Sequence, residues 1–240
     1  MDQSFFVKTY GCQMNQYDSE KIDELLVLNG FKKAKNLEMS DVAILNTCHI
    51  REKASEKFYS DLGRLSVFKK NKEKLGEKMQ IVVMGCVAQA EGQEVIKRNT
   101  LVDYVVGPQN IQSIPRLLKK KSDEKVHTNF LCEQKFSSFP KSYLAGASRQ
   151  ITIQEGCDKF CSFCVVPYTR GNEYSRSVEE IYAEAKNLVE KGALEINLLG
   201  QNVSSYNSYI FEKSEKKMID LSNLCNILSS LPELKRIRYI

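Results

Sequence analysis

Four short apolar runs punctuate the first 107 positions: SFFVKTY (4–10), DVAILNT (41–47), QIVVMG (80–85) and VDYVVG (102–107). They are continuous and rich in β-branched residues, the pattern of strands buried on both faces of a parallel sheet. The stretches between them carry a helical period. In DSEKIDELLVLNGF (18–31), Ile22, Leu25 and Leu26 share one stripe, Asp18 is the expected N-cap and Gly30 suits the C′ position. IREKASEKFYSDLGRLSVF (50–68) predicts a longer amphipathic helix, with Gly63 as an expected interruption. QAEGQEVIKRN (89–99) predicts a weaker helix, and NIQSIPRLLKKK (110–121) one that closes the domain. Alternating strands and helices predict a doubly wound, parallel-sheet α/β domain over residues 1–121.

Periodicity then fades, and residues 122–142 read as a linker or an irregular strand region with polar residues and a proline. A second alternation follows over 143–240. RQITIQEG (149–156) predicts a strand, and SVEEIYAEAKNLVEKG (177–192) a helix with Ser177 as N-cap and Gly192 at its end. LEINLLG (194–200), DLSNLCNILSSL (220–231) and KRIRYI (235–240) predict strand, helix and strand. A βα unit takes roughly 30 residues, so about two and a half units fit, too few to close a barrel.

Composition narrows the class. Of 240 residues, 42% are hydrophobic and 27% charged, a balance that excludes disordered and membrane-embedded chains. The N-terminus lacks a basic segment followed by an apolar core, and no apolar run approaches the roughly 20 residues of a membrane span. A cytoplasmic location is expected. The net charge of +5 hints at an anionic partner. The lysine runs FKKNKEK (68–74) and LLKKKSDEK (117–125) suit phosphate contact and solvated helix faces equally.

Eight cysteines in a cytosolic chain point to metal or redox chemistry. Cys12, Cys48 and Cys86 each follow an expected strand, in KTYGC, LNTC and VMGC, at separations of 36 and 38 residues. In a parallel sheet, all three thiols emerge at the carboxyl edge, where α/β sheets bind ligands. Gly11 and Gly85 permit tight turns there. Buried core cysteines are the plainer alternative, since free cysteines are commonly buried. Three thiolates suit zinc or an iron–sulfur cluster. His49 is the one nearby candidate for a fourth zinc ligand, and adjacent side chains rarely reach one metal. A 4Fe–4S cluster on three cysteines leaves one iron open, so the missing fourth ligand favours the cluster.

Downstream, EGCDKFCSFCVVPYTRG (155–171) places Cys157, Cys161 and Cys164 in a CxxxCxxC pattern on the loop after an expected strand. The longer first gap departs from the ferredoxin spacing. It resembles the signature of radical S-adenosylmethionine (SAM) enzymes, in which an open iron holds SAM and an aromatic residue, here Phe163, lies against the adenine. Cys132, in the expected linker, and His127 match no motif; Cys225 falls in an apolar helical stripe and reads as core.

With both three-cysteine sites in this order, the sequence resembles the radical SAM methylthiotransferase family. The residues that carry the resemblance are YGCQMNQYDSE (10–20), NTCHIREKASEK (46–57), GCVAQ (85–89), GCDKFCSFCVVPYTRG (156–171) and LLGQNVSSY (198–206). GCQMN and IREKA look like the tRNA branch of that family. The resemblance implies a partial (β/α)6 radical SAM barrel after the first domain. It implies methylthiolation at C2 of N6-(dimethylallyl)adenosine 37 in the tRNA anticodon loop, with two SAM molecules, one cleaved to a radical and one a methyl donor. It implies two 4Fe–4S clusters, one on Cys157, Cys161 and Cys164, and an auxiliary one on Cys12, Cys48 and Cys86 that carries sulfur. Gly200 and Gln201 are then expected near SAM, and Tyr168 and Arg170 near the substrate. A sulfur carrier and an electron donor are the implied partners, and a monomer is expected. Threonylcarbamoyladenosine in tRNA, an aspartate of ribosomal protein S12, and a non-catalytic cluster-binding role remain alternatives. Family members continue with further barrel strands and a TRAM domain. The expectation is that these 240 residues bind clusters and turn over poorly.

Overall fold

The computed structural model describes residues 3–50, 52–120, 122–130, 132–212 and 215–240. Lys121, at the expected end of the first domain, lies outside them, as does the Cys132 side chain. Contacts divide the chain into two units, Met1–Phe139 with Tyr168–Arg170, and Pro140–Pro167 with Gly171–Ile240.

In the first unit the order is β1 (Ser4–Thr9), α1 (Gln13–Leu28), β2 (Lys32–Lys33), β3 (Val42–Thr47), α2 (Glu52–Lys74) and β4 (Gln80–Gly85). Then come α3 (Cys86–Glu91), α4 (Gln93–Arg98), β5 (Tyr104–Val106), α5 (Ile114–Lys119), β6 (Val126–His127) and α6 (Cys132–Ser137). The sheet is parallel throughout, in the order β2-β1-β3-β4-β5-β6. The chain winds one way from β1 to β2 and the other way from β3 onward, so the topological switch falls between β1 and β3. Alternate residues of each central strand enter opposite cores. Val42 and Ile44 pack with Ile22 and Leu26 of α1. Ala43 and Leu45 pack with Phe58 and Leu62 of α2. Burial on both sides is the reason these strands read as unbroken apolar runs.

Several boundaries differ from the sequence expectation. Helix α1 starts five residues before Asp18, with Cys12 as N-cap, and Asp18 is a buried residue of the helix interior. Gly63 does not interrupt α2, whose stripe of Phe58, Leu62 and Leu65 holds it against the sheet. The helix expected over 89–99 is two short helices parted at Gly92. Within 122–142, Val126–His127 adds an edge strand and Cys132–Ser137 a helix.

The second unit contains β7 (Ser148–Thr152), β8 (Gln154–Glu155), α7 (Val166–Arg170, whose last three residues count with the first unit), β9 (Tyr174–Ser175) and α8 (Val178–Glu190). It continues with β10 (Glu195–Leu199), β11 (Asn207–Glu212), β12 (Glu215–Asp220), α9 (Leu221–Ser229) and β13 (Arg236–Tyr239). β7, β10 and β13 form a parallel sheet in the order β13-β10-β7, the sequential neighbours that open a βα barrel. Ile196 and Leu198 face Ile181, Leu188, Leu224 and Leu228 of the covering helices. Ser177 caps α8, accepting from the Glu180 amide, and Asp220 caps α9 in a capping box. The antiparallel β11–β12 hairpin stands where the sequence suggested no strand. Among the described residues no helix is long and apolar enough to cross a membrane.

Candidate metal centres

Cys12, Cys48 and Cys86 follow β1, β3 and β4, which are neighbours in the sheet. Strands about 4.8 Å apart that all point one way deliver three thiols to one edge, beside the switch point where such sheets bind ligands. Thr47 pairs with Gly85 across β3 and β4, which sets Cys48 and Cys86 side by side. Cys48 and Cys86 are buried and Cys12 half-buried. Two glycines allow the approach. Gly11 has φ +132, and a Cβ there would collide with Cys48 Cβ and stand 3.0 Å from Cys48 Sγ. Gly85 has φ +95, and its Cβ would collide with the Thr47 carbonyl. Both positions exclude side chains on conformation and on space.

A buried amide network holds the three loops in register. Asn15 Nδ2 donates to Asn46 Oδ1 at 3.0 Å and to the Thr47 carbonyl at 2.9 Å. Asn46 Nδ2 donates in return to the Asn15 carbonyl at 2.7 Å and to Ser19 Oγ at 2.9 Å. Thr47 Oγ1 donates to the Met84 carbonyl at 2.6 Å and accepts from the Val87 amide at 3.2 Å. Each cysteine-bearing turn is thereby tied to the next. Sequence reasoning missed these residues, although Asn15, Asn46 and Thr47 all stand within three positions of a cysteine.

The electrostatics suit thiolate ligation. Cys12 is drawn down to about 5, chiefly by the hydrogen bond it accepts from Cys48; burial opposes this, while the Asn15 amide and the charge of Arg170 add to it. Cys48 is raised, first by that same bond and then by burial and the neighbouring thiols. The thiolate is therefore favoured at Cys12 over Cys48. Three soft donors at the edge of adjacent strands fit an iron–sulfur group bound by three thiolates. Among the described residues, no three His, Cys, Asp or Glu side chains close around a single ion. His49 is half-buried, and its Nδ1 has no hydrogen-bond partner among the described residues.

In the second unit, Cys157, Cys161 and Cys164 lie on the loop after β8, buried, exposed and half-buried in turn. The Cys164 amide donates to the Cys161 carbonyl at 2.9 Å, and the Cys157 amide to the Gly171 carbonyl at 3.2 Å. The loop entrance is fixed by the turn after β10. Gln201 Oε1 accepts from the Gly156 amide at 2.6 Å, Gln154 Nε2 donates to the Gly156 carbonyl at 2.9 Å, and Gln154 Oε1 accepts from the Asn202 amide at 3.1 Å. Gly200 lies in this turn, where a Cβ would stand 2.8 Å from Gln154 Oε1. Phe163 is 92% exposed and Phe160, at φ +46, is 58% exposed, so the loop offers two aromatic faces. A three-thiolate loop with an open side again fits an iron–sulfur group.

Two expected substrate contacts part company. Tyr168 is 67% exposed. Arg170 is buried and donates through Nη1 to Asp18 Oδ2 at 2.8 Å. Cys225 packs at the margin of the second unit's core, and burial raises its thiol. His127 Nε2 lies 3.1 Å from the Glu124 carbonyl on the edge strand.

Residues 4–107 match the family described as Uncharacterized protein family UPF0004, and residues 151–239 match the Radical SAM superfamily. An α/β unit that matches UPF0004 thus precedes βα strands that match the Radical SAM superfamily. The chain is 49% identical over 245 residues to the tRNA-2-methylthio-N(6)-dimethylallyladenosine synthase of Rickettsia akari (strain Hartford), covering 100% of this chain and 54% of that protein. Against the synthase of the same name from Rickettsia bellii (strain RML369-C), it is 49% identical over 244 residues with the same coverage. The chain spans about half the length of the curated relatives it matches. The similarity to proteins named as tRNA-2-methylthio-N(6)-dimethylallyladenosine synthases extends over the whole of this chain. Among solved structures, the radical SAM methyltransferase TsrM from Kitasatospora setae, with cobalamin and a 4Fe–4S cluster bound, aligns with a TM-score of 0.54 at 13% identity. It covers 85% of this chain and 49% of that one, a likeness of fold.

Proposed function

We propose that this chain carries the two cofactor sites of an enzyme that methylthiolates C2 of N6-(dimethylallyl)adenosine 37 in tRNA. Cys157, Cys161 and Cys164 hold one 4Fe–4S cluster with SAM, and Cys12, Cys48 and Cys86 hold a second. The observation that carries this reading is three thiols following neighbouring strands of one unit, with a CxxxCxxC loop in the next, in a chain 49% identical to a protein named as a tRNA-2-methylthio-N(6)-dimethylallyladenosine synthase. When bound, the cofactors supply radical cleavage of a C–H bond, sulfur and a methyl group, chemistry beyond acid–base side chains.

The chain's own residues bind, orient and shield. The Gly11 and Gly85 turns bring the upstream thiols together, and the Asn15–Asn46–Thr47 network keeps them there. Phe163, an exposed ring, would cover the adenine of SAM, and Gly200 and Gln201, the latter bonded to the Gly156 amide, would shape the cofactor edge. Tyr168 offers an exposed ring to a base splayed from the anticodon loop. A monomer served by a sulfur carrier and an electron donor fits this arrangement.

Anaerobic reconstitution followed by iron and sulfide counting tests the sites. About eight irons per chain are expected, falling to about four when Cys12, Cys48 and Cys86 are replaced by Ala. Zinc in place of iron would refute the reading. For the substrate, tRNA from cells lacking the gene and from cells carrying it is digested and its nucleosides weighed. Loss of the methylthio nucleoside is expected in the former. An unchanged tRNA profile with an unmodified ribosomal aspartate would point to a different target.

A further inference from the structure

Strands β7, β10 and β13 turn one face to helices α8 and α9 and the other away from them. Ile151, Ile196 and Leu198 belong to the helix-covered core. Side chains alternate along a strand, so Ser148 and Gln150 of β7, Glu195 and Asn197 of β10, and Arg236 and Arg238 of β13 share the opposite face. In a βα barrel that face is the interior, filled as a rule by branched apolar side chains. Here it is polar.

The layers of this face differ in how well they are satisfied. Nearest the amino edge, Ser148 Oγ donates to Glu195 Oε1 at 2.7 Å, and Arg236 Nε pairs with Glu195 Oε2. Arg238 Nη1 stands 3.9 Å from Glu195 Oε1. One layer further on, Asn197 is level with Gln150. Asn197 Nδ2 is tied down, 3.3 Å from Glu195 Oε1 and 3.4 Å from Ser148 Oγ. The carboxylate fixes that amide, because turning it over would set Oδ1 against Glu195. Asn197 Oδ1 and Gln150 Oε1 are both buried, and neither has a hydrogen-bond partner among the described residues. Asn197 as a whole is 6% exposed. Two buried acceptors without donors, side by side, are uncommon in a folded protein, since each forfeits its hydration. Thr152 and Leu199, which end β7 and β10, lie two residues further along, about 7 Å. Beyond them the chain passes to the Cys157 loop and the Gly200 turn.

We propose that Gln150 and Asn197 form an acceptor pair for the substrate nucleoside. Asn197 Oδ1 receives the N–H that N6-(dimethylallyl)adenine keeps on its exocyclic nitrogen, and Gln150 Oε1 receives a ribose hydroxyl. The inference rests on the tRNA reading above and deepens it by naming the groups that read the nucleoside. Buried acceptors select a ligand by the donors it brings, and they reject an analogue lacking a donor more strongly than an apolar pocket rejects an extra methyl. A base with a carbonyl in place of the amine would set oxygen against oxygen. SAM is also an adenosine and brings the same donors, so the test separates the two.

The test uses the full chain, reconstituted anaerobically, and a fluorescent anticodon stem–loop RNA with N6-(dimethylallyl)adenosine in its loop. A second RNA carries an N-methyl group in place of the exocyclic N–H. The parent chain is expected to bind the second RNA about tenfold more weakly. Asn197→Leu, which keeps the volume without the acceptor, is expected to bind the first RNA about tenfold more weakly and to lose the preference between the two. Gln150→Met is expected to weaken both RNAs alike, about fivefold, and to keep the preference. SAM affinity, read by equilibrium dialysis, is expected to stay unmoved in both variants. A parent without the preference, or a preference that survives in Asn197→Leu, overturns the acceptor pair. So does a fall in SAM affinity with RNA affinity intact, which assigns the two amides to the cofactor instead. Should Asn197→Leu fail to fold, the parent's preference between the two RNAs and the uniform loss in Gln150→Met carry the same test. A chain that binds the stem–loop no better than an unrelated RNA hairpin overturns the tRNA reading itself, whereas full RNA affinity in both variants overturns only the acceptor pair.

Discussion

Gly11→Ala perturbs the upstream site at the point where backbone and side chains meet. At φ +132 an alanine is strained, a cost of about 1–3 kcal/mol. Its Cβ would also collide with Cys48 Cβ and stand 2.9 Å from Asn15 Oδ1, and neither neighbour yields easily, since Cys48 and Asn15 are both buried. Overpacking of that kind costs a further 1–3 kcal/mol or so. A shift of the turn relieves both together, so the combined cost is about 2–4 kcal/mol. Against a total stability of roughly 5–15 kcal/mol, that is a large fraction. Urea unfolding of the metal-free protein, followed by circular dichroism, reads it as a midpoint lower by about 1 M, for a slope near 3 kcal/mol/M. The same turn positions two thiols, so iron at the upstream site is expected to fall while the downstream site keeps about four irons. Gly63 provides the control. It lies within α2 with nothing within 4 Å of a Cβ, and Gly63→Ala is expected to stabilise by about 0.5–1 kcal/mol. A Gly11→Ala protein with an unmoved midpoint and a full iron complement would refute the close-approach reasoning.

Two further outcomes follow from the site geometry. Cys12 titrates near 5 in the folded metal-free protein against an ordinary 9.0, so between those values the unfolded chain carries the extra proton and stability rises with pH across the window. Cys48 is shifted upward, so the stability its retained proton contributes is lost as pH rises past the ordinary thiol value. Mass-mapped alkylation at about pH 6 should label Cys12 ahead of the exposed Cys161, and labelling of Cys12 only in alkaline buffer would contradict the assignment. Gln201→Ala removes the acceptor for the Gly156 amide and is expected to cost about 1 kcal/mol and to speed hydrogen exchange across residues 156–164. Unchanged exchange there would show that Gln201 does not hold the loop.

The metal-ligand candidates were legible in the sequence because their chemistry is local. CxxxCxxC is a spacing on one loop, and each upstream cysteine directly follows a strand whose apolar run is unmistakable. The α/β alternation was legible for the same reason, since burial on both faces writes itself into composition. Short-range signals also placed Ser177 as an N-cap and Gly30 just past the end of α1. They misplaced the start of α1, because a capping-type residue at Asp18 outweighed Cys12, which carries no capping signal. They missed the β11–β12 hairpin, whose strands mix lysine and other polar residues with apolar ones and lack the long apolar runs that marked the others.

Other features are pairings between residues far apart in the chain, and no local pattern encodes them. The sheet order makes β1, β3 and β4 neighbours, and only that order brings three cysteines spaced 36 and 38 residues apart to one sheet edge. The Asn15–Asn46 exchange spans 31 positions, and the Arg170–Asp18 ion pair spans 152. Arg170 therefore read as a substrate contact in sequence and is a buried cation in the fold. Sequence by itself determined which atoms are available for ligation and which strands carry them. Tertiary structure decided which of those atoms meet and which charges stand beside them, because burial and sheet topology, unlike spacing, are properties of the whole chain.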